Sequence, residues 1–449
     1  MIRSRKMLVA LLGLDIVSTI VVFNLVSHFR LIGAHLILAP LFAPAAALVF
    51  ALYLIDGYRT YTDMTMPEYI SLHIIAGLSA LAFTLLLTFA GLRPGYELQS
   101  SRAVIAISFL ILIPATLAYR RVIHQRTVEA RKSRSVLFVG DRASWEAFES
   151  ECERMTLWHP RMFIPLGSAP VDGGDIPLAA VLDDLQSGAL SVEAIVLRES
   201  NLGLPPDTAQ RLAQLYFDGV PTYTLELFHQ VYWKKIPLYR LNLTWLFQEG
   251  FRVAREPVFE RLKRASDLLL SAFGLLIASP IIAAACVAIW LDDRGPIWFV
   301  QSRIGRNHVP FRILKLRTMR ASAEVGDKYT KPGDARITRV GHFLRASRLD
   351  ELPQLWNVLR GDMSLIGPRA EWDRLVEDYE RAIPCYRYRH LVKPGVTGWA
   401  QVNYRYGASV DDTVRKLEYD LYYIRHFSFV LDASIVLKTI QTMLRGQGR

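Results

Sequence analysis

Four apolar stretches lie close together near the start of this chain, at residues 8–29, 31–55, 69–92 and 103–119. Each approaches the roughly 20 apolar residues that a helix needs to cross a bilayer. Backbone groups in lipid must bond within their own segment, so helices are the expected outcome. The first stretch is too long for a cleaved leader and runs almost directly into the second. Arg3, Arg5 and Lys6 precede it, and Arg120, Arg121, Arg126, Arg131, Lys132 and Arg134 follow the fourth. Basic flanks mark the cytoplasmic side. Residues 1–125 are therefore expected to form a four-helix transmembrane bundle with both ends inside. Asp15 and Asn24 fall within the first stretch, where polar groups are costly, and packing against a neighbouring helix is their expected role.

The remainder is long enough for two further domains. Of the 449 residues, 51% are hydrophobic, and the net charge is +11. From Arg294 onward, 27 Lys and Arg stand against 16 Asp and Glu. That surplus suits an acidic membrane surface and phosphate-bearing substrates. No basic helix interleaved with stacking aromatics accompanies it, so nucleic acid is not an expected partner. Cys152, Cys286 and Cys385 are too far apart for a disulfide framework or a metal site, and a reducing cytoplasm is the simplest setting. His308, His342, His390 and His426 show no metal-ligand spacing and are expected to be structural.

Residues 134–230 read as a small α/β domain. Residues 136–140, 194–197 and 220–224 have the apolar character of strands, and 207–218 has helical periodicity. A strand ending at Gly140 invites a dinucleotide-binding reading. No Gly-x-Gly-x-x-Gly follows, so the domain reads as a degenerate nucleotide fold with a structural or regulatory role. Residues 172–175 read as a surface loop, and the aromatic- and Arg-rich residues 231–258 as a connector at the membrane surface. A fifth apolar stretch, 268–291, carries Ser279-Pro280 at its middle. Proline removes a helical hydrogen bond and disfavours helix at the preceding residue. A kinked span is one outcome, and the local flanking charges do not choose a side.

Downstream lie two adjacent carboxylates, Asp350 and Glu351, near Arg345 and Arg348. Leu349, Leu352, Leu355, Trp356 and Leu359 recur at helical spacing, and Pro353 fits a first helical turn. The helix should start near the acidic pair, where its dipole favours negative charge. Taken alone, Asp-Glu reads most simply as a capped helix start.

The longer string Leu349-Asp-Glu-Leu-Pro-Gln-Leu-Trp-Asn-Val-Leu-Arg-Gly-Asp-Met-Ser-Leu-Ile-Gly-Pro-Arg369 resembles the signature of the bacterial sugar transferases. These are polyprenyl-phosphate hexose-1-phosphate transferases of the monotopic phosphoglycosyl transferase superfamily. Lys263-Arg-Ala-Ser-Asp267, Phe311-Arg-Ile-Leu-Lys-Leu-Arg-Thr-Met319, Lys393-Pro-Gly-Val-Thr-Gly-Trp-Ala-Gln-Val-Asn403 and Lys416-Leu-Glu-Tyr-Asp-Leu-Tyr-Tyr-Ile424 resemble its other blocks. Ala370 departs from the pattern, standing where the family usually carries a second proline.

The resemblance implies a mostly helical monotopic catalytic domain over residues 259–449. A re-entrant membrane helix at 267–291 would be broken at Ser279 and Pro280. The fold class is then membrane α plus α/β. The implied substrates are a nucleotide diphosphosugar, expected to be a UDP-sugar, and a polyprenyl phosphate, with Mg²⁺ as cofactor. Asp350 would be the nucleophile of a covalent aspartyl-phosphosugar step. Glu351 would be a metal ligand beside it or a proton-transfer partner. Arg317, Arg345, Arg348 and Arg369 are candidates for phosphate contacts, and Lys263 and Arg264 for lipid phosphates. Trp399, Gln401 and Asn403 would meet the nucleotide or pack a turn. The implied setting is the cytoplasmic face of a bacterial inner membrane, with a homodimer expected. Two other readings compete. A membrane-anchored nucleotide-sugar epimerase or dehydratase needs a dinucleotide fingerprint that this chain lacks. A silent scaffold for polysaccharide assembly sits poorly with an intact Asp350-Glu351.

Overall fold

The computed structural model describes residues 2–30, 38–55, 57–58, 64–91, 102–129, 134–155, 159–165, 178–198, 204–238, 257–320, 334, 336–404, 407 and 409–444. The chain divides into two compact units, Met1–Ser133 and Arg134–Arg449.

The first unit is helical: α1 (Ile2–Arg30), α2 (Phe42–Leu54), α3 (Pro67–Leu86) and α4 (Arg102–Glu129). Leu11, Phe23, Leu48, Leu52, Phe109 and Leu112 face inward, whereas Val9, Val17, Val21 and Leu110 are exposed. A helix apolar on both faces suits a bilayer. Within α1, α3 and α4 lie apolar segments of spanning length; α2 is shorter. The expected second span is thus reduced to α2, with residues 31–37 outside the described part. The fourth helix also outruns its apolar stretch and carries Arg120 in a wholly buried position. Arg120 is therefore not a free flanking charge. Its guanidinium pairs with Asp15 at 2.6 Å, and Tyr58 donates to the same carboxylate at 2.6 Å. Asp15 so gains a cross-helix partner, as expected. Asn24 donates to its own helix at Ile20.

The second unit begins with a parallel sheet of order β2-β1-β3-β4: β1 (Ser135–Gly140), β2 (Arg161–Pro165), β3 (Val192–Leu197) and β4 (Thr222–Thr224). Helices α5 (Arg142–Arg154), α6 (Leu178–Ser187) and α7 (Pro206–Phe217) connect them, and a single turn, α8 (Leu225–Phe228), follows. The sequence reading missed β2, whose burial is mostly partial. The strand order reverses between β1 and β3, where ligands of such sheets bind. Here Asp141 fills that place. Its carboxylate accepts from the Ser144 amide at 2.9 Å, capping α5, and pairs with Arg198 at 2.9 Å. A fixed carboxylate at a helix N-terminus occupies the position that a phosphate would take. Residues 172–175 lie outside the described residues.

The described start of the connector, up to Leu238, packs into the protein: Trp233, Ile236 and Leu238 are buried, the last two in the C-terminal core. Lys235 is buried between Glu151 of α5 and Glu418, the latter at 3.0 Å. Residues 239–256 lie outside the described residues.

Helix α9 (Pro257–Asp293) starts the C-terminal part. It continues through Pro280 without the break expected at Ser279. Pro280 has no N–H for the Leu276 carbonyl, and Ser279 Oγ donates there instead at 2.8 Å. A polar substitute for the lost bond lets the helix persist. Next come the antiparallel hairpin β5 (Trp298–Ile304) and β6 (Pro310–Leu316), α10 (Arg339–Ala346) and α11 (Gln354–Arg360). Strands β7 (Ser364–Ile366) and β8 (Gly395–Thr397) pair in parallel, with α12 (Asp373–Ala382) between them. Helices α13 (Trp399–Asn403), α14 (Val410–Arg425) and α15 (Phe429–Leu444) complete the unit. The core gathers Ile366, Tyr386, Trp399, Leu421 and Tyr423.

Lys263 and Arg264 on α9 do not face lipid. Lys263 is buried against Asp432 at 2.6 Å. Arg264 donates to the carbonyls of Val358 and Leu359 at 2.5 and 2.7 Å, bracing the end of α11.

Candidate active site

The backbone sets the acidic pair before any side-chain chemistry does. Arg348 sits in the left-handed region at φ 55, ending α10's chain direction, and Leu349–Glu351 form one 3₁₀ turn. Pro353 then leads into α11, near the expected helix start. The buried face of α11 differs from the expected apolar stripe. Gln354, Asn357 and Val358 are buried, whereas Trp356 is 52% exposed. Asn357 explains the inversion. Its amide oxygen accepts from Leu314 N at 3.0 Å and its amide nitrogen donates to Arg312 O at 2.8 Å, bonding α11 to β6. The apolar side turns toward α9 instead, with Leu355 beside Gly274.

This docking carries Lys315 of β6 to Glu351. Lys315 Nζ donates to Glu351 Oε1 at 2.8 Å. Arg369 donates to the same oxygen at 3.1 Å, and Arg348 lies 3.5 Å from Oε2. Arg369 follows β7, where Gly367 is required. A Cβ there would lie 2.4 Å from the Lys393 carbonyl, so only glycine lets the two chains approach. The Arg369 carbonyl is held by Arg389 at 3.0 Å and that of Ala370 by Arg303 at 3.1 Å. These bonds fix the backbone where the family's second proline is missing.

The two carboxyls are driven apart electrostatically. For Glu351, burial opposes ionisation, but the charges of Arg369 and Lys315 outweigh it and hold the group well below the usual carboxylate range. For Asp350, burial and then the Glu351 charge push the carboxyl upward, against Lys315, Arg345 and Arg369. Burial lowers Lys315, with Glu351 opposing. Glu351 is thus a fixed anion that organises cations. Among the described residues, no hydrogen bond or ion pair engages the Asp350 carboxylate. Neighbouring groups with oppositely shifted acidities often divide catalytic roles.

The sequence-chosen arginines separate here. Arg348 and Arg369 join Glu351. Arg345 bonds Thr318 Oγ1 at 2.9 Å and acts on Asp350 through its charge. Arg317 does not join them: it is buried against Asp293 at 2.6 Å, at the end of α9. Lys315 was missed. Strand alternation puts residues 315 and 317 on one face, so spacing alone does not separate them. The strand ends at Leu316, and Arg317 turns away. Trp399 and Asn403 pack rather than face the site, Trp399 donating to Lys234 O at 2.8 Å and Asn403 to Trp399 O at 2.8 Å. Gln401 lines a cavity of about 210 Å³ with Glu351, Leu352, Leu355, Val402 and Met443. Ser279 and Pro280 lie mid-helix, away from both ends of α9 that contact the domain.

The profile of the bacterial sugar transferase family matches residues 258–446. Over 193 residues the chain is 48% identical to UDP-N-acetylgalactosamine-undecaprenyl-phosphate N-acetylgalactosaminephosphotransferase of Aeromonas hydrophila, covering 43% of this chain and 46% of that protein. It is 42% identical over 185 residues to UDP-glucose:undecaprenyl-phosphate glucose-1-phosphate transferase of Escherichia coli K12, covering 40% and 39%. The matched stretch thus spans less than half of these two relatives. It is also 39% identical over 196 residues to the exopolysaccharide production protein PSS of Rhizobium leguminosarum, covering 42% of this chain and 98% of that relative. On that match and on the family profile, the chain belongs to the bacterial sugar transferase family.

Proposed function

We propose that this protein transfers a sugar-1-phosphate from a UDP-sugar to undecaprenyl phosphate, starting an exopolysaccharide or O-antigen repeat. The observation that carries this is an Asp350 carboxylate that makes no hydrogen bond or ion pair among the described residues, beside a buried Glu351 that gathers three cations. An Asp350 oxygen attacks the sugar-bearing phosphorus. The bridging P–O bond breaks, and UMP leaves with its electrons. An oxygen of the lipid phosphate then attacks the aspartyl phosphate, releasing the Asp350 carboxylate and forming the lipid diphosphosugar. Lys315, Arg348 and Arg369 offset the phosphoryl charge in both steps. The free carboxylate also fits Mg²⁺, which binds through one or two carboxylates plus substrate phosphates. Asp350, with Glu351 beside it, would hold the ion, which when bound neutralises diphosphate charge. The largely apolar cavity next to Glu351 suits the first isoprene units of the acceptor.

Both ends of α9 engage one folded domain, which supports re-entry from the cytoplasmic face. Near its start Asp267 accepts from the Leu365 amide at 3.0 Å, and near its end Asp293 pairs with Arg317. Between them Leu269, Phe273 and Leu276 are 73%, 63% and 72% exposed.

Two experiments test this reading. Purified protein, Mg²⁺ and undecaprenyl phosphate should release UMP over many turnovers from one member of a UDP-sugar panel, and no more than one UMP per chain when the lipid is left out. Multiple-turnover release without lipid, or none from any sugar, rejects the transfer. For topology, Glu377→Cys in a background lacking Cys152, Cys286 and Cys385 should resist an impermeant thiol reagent in intact cells and react after permeabilisation. Labelling of intact cells would place the domain outside.

A further inference from the structure

His308, Glu380 and His390 come from three separate elements and converge outside the catalytic cluster. His308 lies in the turn joining β5 and β6, Glu380 on α12, and His390 on the 3₁₀ segment Tyr386–Leu391. His308 Nδ1 stands 3.4 Å from Glu380 Oε1, and the two imidazole centroids are 4.7 Å apart. One ligand atom from each residue falls within 4.8 Å of the others, and this is the one such trio among the described residues.

Two observations point beyond an incidental ion pair. His390 is only 6% exposed, yet among the described residues its Nε2 has no hydrogen-bond partner. Buried polar atoms are nearly always satisfied, so an orphaned imidazole nitrogen asks for a missing ligand. The second observation is the turn. Asn307 and His308 adopt φ values of 54 and 63, consecutive left-handed positions where hairpins favour Asn-Gly. A histidine at the position best suited to glycine is held there at a conformational cost.

We propose that His308, Glu380 and His390 bind a transition-metal dication of the zinc class, with water completing the coordination. Two imidazoles and a carboxylate suit Zn²⁺ and its neighbours, whereas Mg²⁺ prefers oxygen alone. The 3.4 Å separation matches the edge of a tetrahedron with bonds of ~2.1 Å. Glu380 is exposed, so one side stays open to solvent. The ion ties the β5–β6 turn to α12 and to the segment whose Arg389 supports the Arg369 backbone. It therefore braces the scaffold of the phosphate site without entering it.

The test uses the purified 449-residue chain in detergent, stripped with chelator and kept in excess Mg²⁺ so that the acidic pair does not compete. Titration with Zn²⁺, followed by equilibrium dialysis and thermal melting, should give one zinc per chain and a higher melting temperature. His308→Gly relieves the turn and should fold at least as well. Glu380→Gln changes an exposed side chain. Each should weaken zinc binding by about tenfold or more and abolish the melting shift, since even partners behind a ligand contribute about that much. Loss in both variants supports the site. Binding that survives either substitution, or no saturable uptake by the parent chain, overturns it and leaves His308 and Glu380 as an ion pair.

Discussion

Replacing Asp350 with asparagine is expected to lower transfer by about 1,000-fold or more, a barrier increase of ~4 kcal/mol at ~1.4 kcal/mol per tenfold. Asparagine keeps the size of the side chain and removes the anionic nucleophile. Since no described hydrogen bond or ion pair depends on the Asp350 carboxylate, the melting temperature should hardly change. The parent enzyme, given UDP-sugar labelled in the sugar and no lipid acceptor, should retain label on the protein after denaturation, and the variant should not. Loss of that label on treatment with hydroxylamine or alkali fits an acyl phosphate. A variant that keeps normal turnover, or that still traps label, moves the nucleophile elsewhere. The pH dependence gives a second check. Burial and the Glu351 charge raise the Asp350 carboxyl, so the ionised nucleophile accumulates only as pH rises through that raised value. The acid limb of kcat/KM should therefore lie above ~3.9, the ordinary aspartate value.

Glu351→Gln should damage both stability and turnover. Glu351 has a depressed pKa in the fold, so its stabilising contribution is complete above the ordinary carboxylate value and disappears as pH falls through the depressed one. At neutral pH the substitution removes all of it and takes the shared anion away from Lys315, Arg348 and Arg369. Breaking a buried pair in this way costs about 3–5 kcal/mol. The melting temperature should fall by several degrees, and turnover should fall because the cations lose their organising anion. The acid limb attributed to Asp350 should also move to lower pH, since the neighbouring negative charge is gone. Adding Lys315→Met should restore part of the stability without restoring transfer. If the single variant melts like the parent and keeps its acid limb, Glu351 is not the organising charge.

The local devices of this protein were legible where one dominant force acts along the chain. Apolar runs announced α1, α3 and α4, because the cost of bare backbone in lipid leaves little alternative to helix. The strand ending at Gly140 and the absent glycine fingerprint indicated an α/β domain without a phosphate loop. Asp141 supplied the physical reason, a carboxylate already seated at the α5 N-terminus. The apolar stripe of α11 misled, because hydrophobic spacing reports an apolar face without saying which neighbour covers it. Asn357 decided the matter by bonding the polar side of the helix to β6.

By itself the sequence determined a helical membrane portion, a basic domain suited to phosphate, and the adjacent carboxylates Asp350 and Glu351. These follow from composition, periodicity and adjacency, which are properties of neighbours in the chain. Only the tertiary structure decided which cations serve the pair. Lys315 and Arg317 stand two residues apart in the chain, yet one reaches Glu351 and the other is spent on Asp293. Lys263 and Arg264, written like lipid anchors, turn inward because Asp432 and the end of α11 offer closer partners. His308 and His390 lie 82 residues apart in the chain and meet only because the hairpin turn folds against the Tyr386–Leu391 segment. Charge pairing and ligand convergence depend on distances between remote residues, and folding alone sets those distances.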